Sequence, residues 1–174
     1  DLVTKVIPPY DEKELMQAIE IASNHLISLG ITSVHDAGVS AREHRIYRAL
    51  ADKEELLVRL YGMISSTDSV LSTILSEGPV TDENDLYSAR SVKVYTDGAL
   101  GSRGAALLQP YSDRPDHTGL LLTSKQTLRD ILEDAVLSGF QVAIHAIGDK
   151  GNQLALDEIE SVSYTHLTLP TNCV

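Results

Sequence analysis

Cysteine occurs once in this 174-residue chain, at Cys173 beside the C-terminus. A single thiol excludes an intrachain disulfide framework and a cysteine-built zinc site. Scarce cysteine suits a reducing cytosol, and equally a cysteine-poor secreted protein; a cytoplasmic location is the expectation. Basic residues are also few: 14 Lys and Arg stand against 25 Asp and Glu, a formal net charge of -11. That balance argues against nucleic-acid backbones and anionic membranes as partners. No apolar run approaches the roughly 18 residues of a membrane span, and no basic-then-apolar leader opens the chain. The phosphate-binding spacings GxxxxGKS/T and GxGxxG are absent, and no serine sits in a GxSxG elbow. The chain opens on Asp1 rather than methionine, as a processed start or a fragment would.

What is present is ordinary globular material, 43% hydrophobic, enough for one domain with a core. It is short for a closed (β/α)8 barrel of about 250 residues. Leu15, Ile19, Ala22, Leu26 and Leu29 recur at helical steps, and Gly30 stops the helix they predict. ITSVHDAG, residues 31–38, is a short β-rich run, and 42–50 predict a weaker helix. LLVRLYGMI, 56–64, reads as a strand; 68–75 predict a short helix closed by Gly78-Pro79. SVKVY, 91–95, is the next strand. The irregular stretch 98–119 exceeds an ordinary connection, which predicts an active-site loop. Thr123 and Gln126 fit a capping box for a helix carrying Leu128, Ile131, Leu132, Ala135 and Val136, closed by Gly139. QVAIH, 141–145, is a further strand and 151–160 a further helix. This alternation predicts an α/β fold of parallel strands joined by crossover helices. Periodicity alone leaves an open doubly wound sheet and a piece of a barrel both standing.

The last stretch, SVSYTHLTLPTNCV at 161–174, breaks the pattern with threonine, proline and β-formers. It resembles translated adaptor sequence at the ends of truncated reading frames. The expected division is a folded domain at 1–160 and a poorly packed, non-native tail at 161–174; a natural edge strand with a terminal tail is the alternative.

Alternation fixes which side chains share a face. Lys93 and Tyr95 point one way, Val92 and Val94 the other; His145, Ala143 and Gln141 oppose Val142 and Ile144. Apolar branched residues would then meet the helices while a mixed polar face looks inward. A barrel with a polar upper layer needs that division, whereas an open parallel sheet wants both faces apolar. A partial barrel of about four β/α units is thereby favoured. If the two strands are neighbours, Lys93 and His145 lie roughly 5 Å apart laterally.

Protonated lysine is a poor metal ligand. Carbon dioxide converts it to a carbamate whose oxygens can bridge two metals, and a histidine nitrogen supplies a neutral donor. From the residues alone, the plainer reading of Lys93 is a snorkelling or salt-bridged lysine. His145 is divided between core histidine and ligand. Arg103, in the glycine-rich loop after the lysine strand, offers a planar donor group to an anion or carbonyl. Asp97 is divided between orienting that loop, contacting a ligand and making an Asx turn. His35 and Asp36 end the first strand as ligand and orienter, or as part of a turn; alternation does not decide which faces inward. His117 lies in the long loop, within reach of a substrate, and Asp149 is placed to cap the last helix.

GITSVHDAG, VKVYTDGALGSRGAAL and QVAIHAIGDKGNQLALDEIE, in that order, resemble the amidohydrolase superfamily, in its YtcJ-like or AepA-like branch that contains N-substituted formamide deformylases. The likeness runs through nearly all of residues 2–160. It implies a metal-dependent (β/α)8 hydrolase in which the four strand-like runs are barrel strands two to five. By resemblance, Lys93 matches a fourth-strand lysine that is commonly carboxylated and bridges metals, and His145 matches the fifth-strand metal histidine. One or two divalent ions, zinc in expectation, would then serve hydrolysis of a carbon–nitrogen bond in a small amide-like substrate. Tyr95, Asp97, Arg103, His35, Asp36 and His117 would shape the loops or contact that substrate. Gly104 stands where the branch often has threonine, a lost hydroxyl rather than a lost ligand. The first-strand histidine pair, the sixth-strand histidine and the eighth-strand aspartate of the family pattern are not in this sequence. The resemblance therefore implies an internal portion that requires the missing barrel parts and is inactive alone. The competing class is a non-catalytic α/β module that holds a small ligand without metal.

Overall fold

Asp11 and Ser40 each accept the amide of a glutamate three residues on, and each glutamate side chain returns to the cap's own amide. These two capping boxes start α1 (Glu12–Ser28) and α2 (Ala41–Asp52), each at about 1 kcal/mol of helix stabilisation. The computed structural model describes residues 6–8 and 10–167. The remaining elements are β1 (Ser33–Val39), β2 (Arg59–Ser65), α3 (Leu71–Glu77), β3 (Val80–Thr81), β4 (Tyr87–Tyr95), α4 (Lys125–Leu137), β5 (Gln141–His145) and α5 (Asp149–Leu167).

The strands β1, β2, β4 and β5 are hydrogen-bonded side by side in chain order, all parallel. The structure thus bears out the expected α/β architecture of four parallel units. One element went unforeseen: β3 runs antiparallel to β4 through Val80–Ala89 and Thr81–Ser88. One edge of β4 is consequently shared, its first half with β3 and its second half with β5. β4 also begins earlier than the expected Ser91. Asp82 gathers the amides of Asn84, Leu86 and Tyr87, making the turn that launches the strand at Tyr87.

The core lies between the sheet and its helices. Ile46 and Leu50 of α2 and Ile74 of α3 cluster with Leu60, Ile64, Tyr87 and Val92 of the strands. A second cluster joins Val94 to Leu128, Leu132 and Val162. Each such large apolar side chain contributes roughly 1.5–3 kcal/mol when removed from water. The opposite sheet face carries the mixed residues, as strand alternation requires: Lys93 is partly buried and Tyr95 is exposed, while Val92 and Val94 are fully buried.

Two local expectations are corrected. The cap of α4 is Ser124, which accepts the Thr127 amide, rather than the Thr123–Gln126 box. Thr123 is unavailable because its hydroxyl donates to the Tyr95 carbonyl, and Gln126 turns to Asp130 instead. Nor does the last helix end at Glu160. It continues to Leu167, and Val162 packs into the core because it repeats the helical face of Leu154 and Glu158. Residues 168–174 of the expected tail, with Cys173, lie outside the described residues. Among the described residues, no helix is long and apolar enough to cross a membrane.

Candidate active site at the strand ends

β4 and β5 are adjacent, and their register pairs Lys93 with Ala143 and Tyr95 with His145. Lys93 and His145 therefore share a face but not a rung. The expected lateral separation of about 5 Å becomes a diagonal of about 8 Å between strand positions. Tyr95 contacts both. The Lys93 ammonium nitrogen lies 4.8 Å from the Tyr95 ring centroid, and the Tyr95 and His145 rings are 5.2 Å apart. The Tyr95 hydroxyl reaches across the concave face to donate to the Ala37 carbonyl at 3.3 Å.

Burial pushes the Lys93 amine below its ordinary value, and no charged neighbour contributes to that shift. Among the described residues no carboxylate pairs with Lys93, so the salt-bridged reading finds no partner there. His145 is mostly covered, and among the described residues its buried Nε2 has no hydrogen-bond partner. The Asp97 carboxylate is 3.9 Å from that nitrogen, beyond hydrogen-bond distance.

Asp97 itself is fully buried. Its Oδ1 accepts the Ile147 amide at 2.9 Å, and its Oδ2 accepts the amides of Gly148 at 2.7 Å and Ala106 at 2.8 Å. These donors lie 50, 51 and 9 residues away, so the motif is not an Asx turn, and the buried carboxylate ties distant loops together.

The other candidates are engaged elsewhere. Arg103 pairs with Asp113 at 2.6 and 3.3 Å, which raises the guanidinium pKa and lowers that of the carboxyl. The Arg103 carbonyl is 2.9 Å from His117 Nε2, and His117 stacks on Tyr111. Arg103 and His117 therefore knit the long loop to itself. His35 is on the inner face, its ring tilted 36° against that of Tyr61 at 5.0 Å, but its rung is Tyr61 and Ser88, well below Lys93. The expectation of His35 at a strand's C-terminal end fails because β1 continues to Val39 through an irregularity at Gly38. Asp36 faces the opposite way and accepts the Tyr47 hydroxyl of α2 at 2.9 Å. Asp149 is the first residue of α5 rather than its cap: its Oδ1 accepts the adjacent Lys150 amide and also the Leu108 amide from the long loop.

Residue patterns gave no hint of Thr96. It is fully buried, and both its amide and its hydroxyl donate to the His145 carbonyl, at 2.9 and 2.7 Å. The available signal was glycine density on both loops. A Cβ on Gly148 would stand 1.9 Å from the Ala106 carbonyl oxygen, and one on Gly119 1.9 Å from that of Ala105. The two backbones touch, and only glycine permits it.

The model of the amidohydrolase family matches residues 1–170. The chain belongs to the amidohydrolase family. It is 33% identical over 175 residues to the protein LONG AFTER FAR-RED 3 of Arabidopsis thaliana, covering 94% of this chain and 30% of that protein. It is 27% identical to the putative amidohydrolase YtcJ of Bacillus subtilis, covering 92% of this chain and 30% of the relative. An N-substituted formamide deformylase of Arthrobacter pascens is also 27% identical, with 88% and 29% covered. An uncharacterised metal-dependent hydrolase from Pyrococcus furiosus superposes with a TM-score of 0.82 at 31% identity, over 93% of this chain and 34% of that one. Its counterpart from Pyrococcus horikoshii gives 0.77 at 31% identity, over 87% and 31%. The chain thus spans about 30% of the length of the curated relatives it matches. The fold is a partial amidohydrolase barrel, and the family match extends past Glu160 into the expected tail.

In this amidohydrolase segment, two groups on the inner face suit a divalent ion: the orphaned buried nitrogen of His145 and the partly desolvated amine of Lys93. Two donors are fewer than the three protein ligands of a usual catalytic site. Among the described residues, no three of His, Cys, Asp and Glu converge on one point.

Proposed function

We propose that this segment is part of a metal-dependent hydrolase that cleaves a non-peptide carbon–nitrogen bond in a small amide-like substrate. The observation that carries the reading is the placement of Lys93 and His145 on one face, near the C-terminal ends of adjacent parallel strands, with His145 Nε2 buried and without a hydrogen-bond partner among the described residues. In a β/α barrel that end is where chemistry is assembled. Family membership and the metal-dependent hydrolases among the solved neighbours support the same class. The deformylase among the relatives acts, by its name, on N-substituted formamides, which supports an amide-like substrate.

In this reading His145 provides a neutral nitrogen, and Lys93 provides carboxylate-like oxygens after carboxylation. In that step the neutral Lys93 amine attacks carbon dioxide, a nitrogen–carbon bond forms, and one proton leaves, giving a lysine carbamate. One or two divalent ions, zinc by expectation, would be held by Lys93, His145 and groups outside this segment; when bound, such an ion acidifies water and polarises a carbonyl. Tyr95, in contact with both ligand positions, would shape the space above them.

The test is metal analysis of the protein at the full length of its relatives. About one or two zinc ions per chain, with hydrolysis of formamide or related amide substrates, supports the reading. Absence of metal with a small ligand still bound would instead establish the non-catalytic binding module.

A further inference from the structure

We propose that Asp97 is a positioning residue: a single buried carboxylate that clamps the loops after β4 and β5 together and thereby sets the separation of Lys93 and His145. The proposal rests on the metal-site reading above for its consequence, though not for its geometry. Asp97 lies two residues beyond the end of β4 and is fully buried. A carboxylate in that setting is tolerated only if its charge is met by well-placed donors. Here they are backbone amides: Ala106 from the loop that follows β4, and Ile147 and Gly148 from the turn between β5 and α5. The latter two immediately precede the N-terminus of α5, where the helix dipole favours a negative charge.

Packing leaves these segments no alternative position. A Cβ on Gly151 would fall 2.7 Å from Asp97 Oδ2, and the Gly148 Cβ position is already taken by the Ala106 carbonyl. That carbonyl accepts the amides of Lys150 at 3.1 Å and Gly151 at 3.3 Å, closing a reciprocal lock between the two loops. His145 is two residues before the first clamped amide, and its own carbonyl is held by Thr96 beside Asp97. Lys93 is four residues before Asp97, inside β4. A shift at the carboxylate would therefore pass directly to both ligand positions. Asp97 acts through the backbone, since it makes no hydrogen bond to the His145 ring.

The decisive variant is Asp97→Asn in the full-length protein. It keeps side-chain volume but replaces one acceptor oxygen with an NH2 group that faces amide donors. The control is Glu158→Gln, which disturbs a buried carboxylate on α5 far along the helix from the clamp. Two readouts are taken: the dissociation constant for zinc alone, and hydrogen exchange of the Ala106, Ile147 and Gly148 amides. Asp97→Asn should raise the zinc dissociation constant by about 10–100-fold, the usual cost of losing a group that orients metal ligands, while the control changes it little. The three amides should lose protection together while those of β1 and β2 keep theirs. Wild-type zinc affinity and wild-type protection in Asp97→Asn would overturn the proposal, as would equal loss of zinc affinity in the control. If the unsubstituted protein binds no zinc, the functional reading above fails, and exchange at the three amides alone decides the clamp. If Asp97→Asn yields no folded protein, exchange is followed in the unsubstituted protein at low denaturant. One shared opening of the three amides supports the clamp, and three independent openings overturn it.

Discussion

Tyr95 and His145 face each other on one rung of the β4–β5 pair, with their rings 5.2 Å apart and tilted by 45°. Lys93 reaches the same tyrosine ring from one step back along β4. Both candidate ligands therefore touch one aromatic ring. That arrangement predicts different outcomes for substitutions that look equivalent in the sequence.

In the full-length protein, Lys93→Ala should abolish bridging-metal occupancy and most hydrolysis, because a carbamate needs the lysine amine. His145→Ala should weaken metal binding while leaving lysine carboxylation possible. Arg103→Ala should leave metal content unchanged, since the guanidinium is committed to Asp113 on the loop. Any loss of turnover would then reflect a loosened loop. Metal content by elemental analysis, with circular dichroism to exclude unfolding, separates these cases. Full metal and near-parental activity in Lys93→Ala would refute the ligand assignment.

His44 predicts an acid-sensitive fold. It is buried, its Nδ1 lies 2.8 Å from the Tyr87 hydroxyl, and its Nε2 has no hydrogen-bond partner among the described residues. Burial lowers its pKa below 6.5; Arg48 and Arg45 lower it further, and Glu77 opposes them. Because the unfolded chain binds the proton more readily, the stabilisation is present above about pH 6.5 and is lost as the pH falls from there toward the folded value. His44→Asn can keep the bond to Tyr87 without titrating. Its urea midpoint should vary less between about pH 5.5 and 6.5 than that of the parent. Parallel profiles for the two proteins would exclude His44 as the source.

Gly62 is set against the same buried tyrosine. A Cβ there would lie 2.9 Å from the Tyr87 hydroxyl and 3.3 Å from Val39 Cγ2. Tyr87 is fully buried and cannot swing away. Gly62→Ala should therefore destabilise by about 1–3 kcal/mol, the usual cost of overpacking. Adding Tyr87→Phe should recover part of that loss in denaturant unfolding. A double variant less stable than the sum of the singles would show that the clash lies elsewhere.

Val162 tests the continuity of the last helix. It is 4% exposed and packs with Val94, Leu128 and Leu132. Val162→Ala should cost about 1–3 kcal/mol, from lost burial and the cavity left behind. Ending the chain after Glu160 should cost at least as much. An unchanged unfolding midpoint in both variants would restore the reading of residues 161–167 as an inert tail.

Most of the α/β alternation and the division of strand faces was legible before folding, because side-chain direction along a strand is a local, period-two property. Lys93 was placed on the concave face and Val92 and Val94 against the helices by that rule alone. The three sequence blocks likewise sufficed to place the chain in its family. Helix starts were less legible: the cap of α4 moved from Thr123 to Ser124 because a strand carbonyl competed for the threonine hydroxyl.

Composition and periodicity by themselves determined an α/β chain with a polar strand-end face and no cysteine-built site. Tertiary structure alone decided that Lys93 stands opposite Ala143 rather than His145, because strand stagger is set by how whole strands pack and not by any residue within them. It alone turned Asp36 toward Tyr47 and left His35 on the concave face, a choice that depends on which side of β1 receives α2. It alone revealed the role of Asp97, whose amide partners lie as far as 51 residues away; a buried charge finds its donors only when distant backbones are brought into contact.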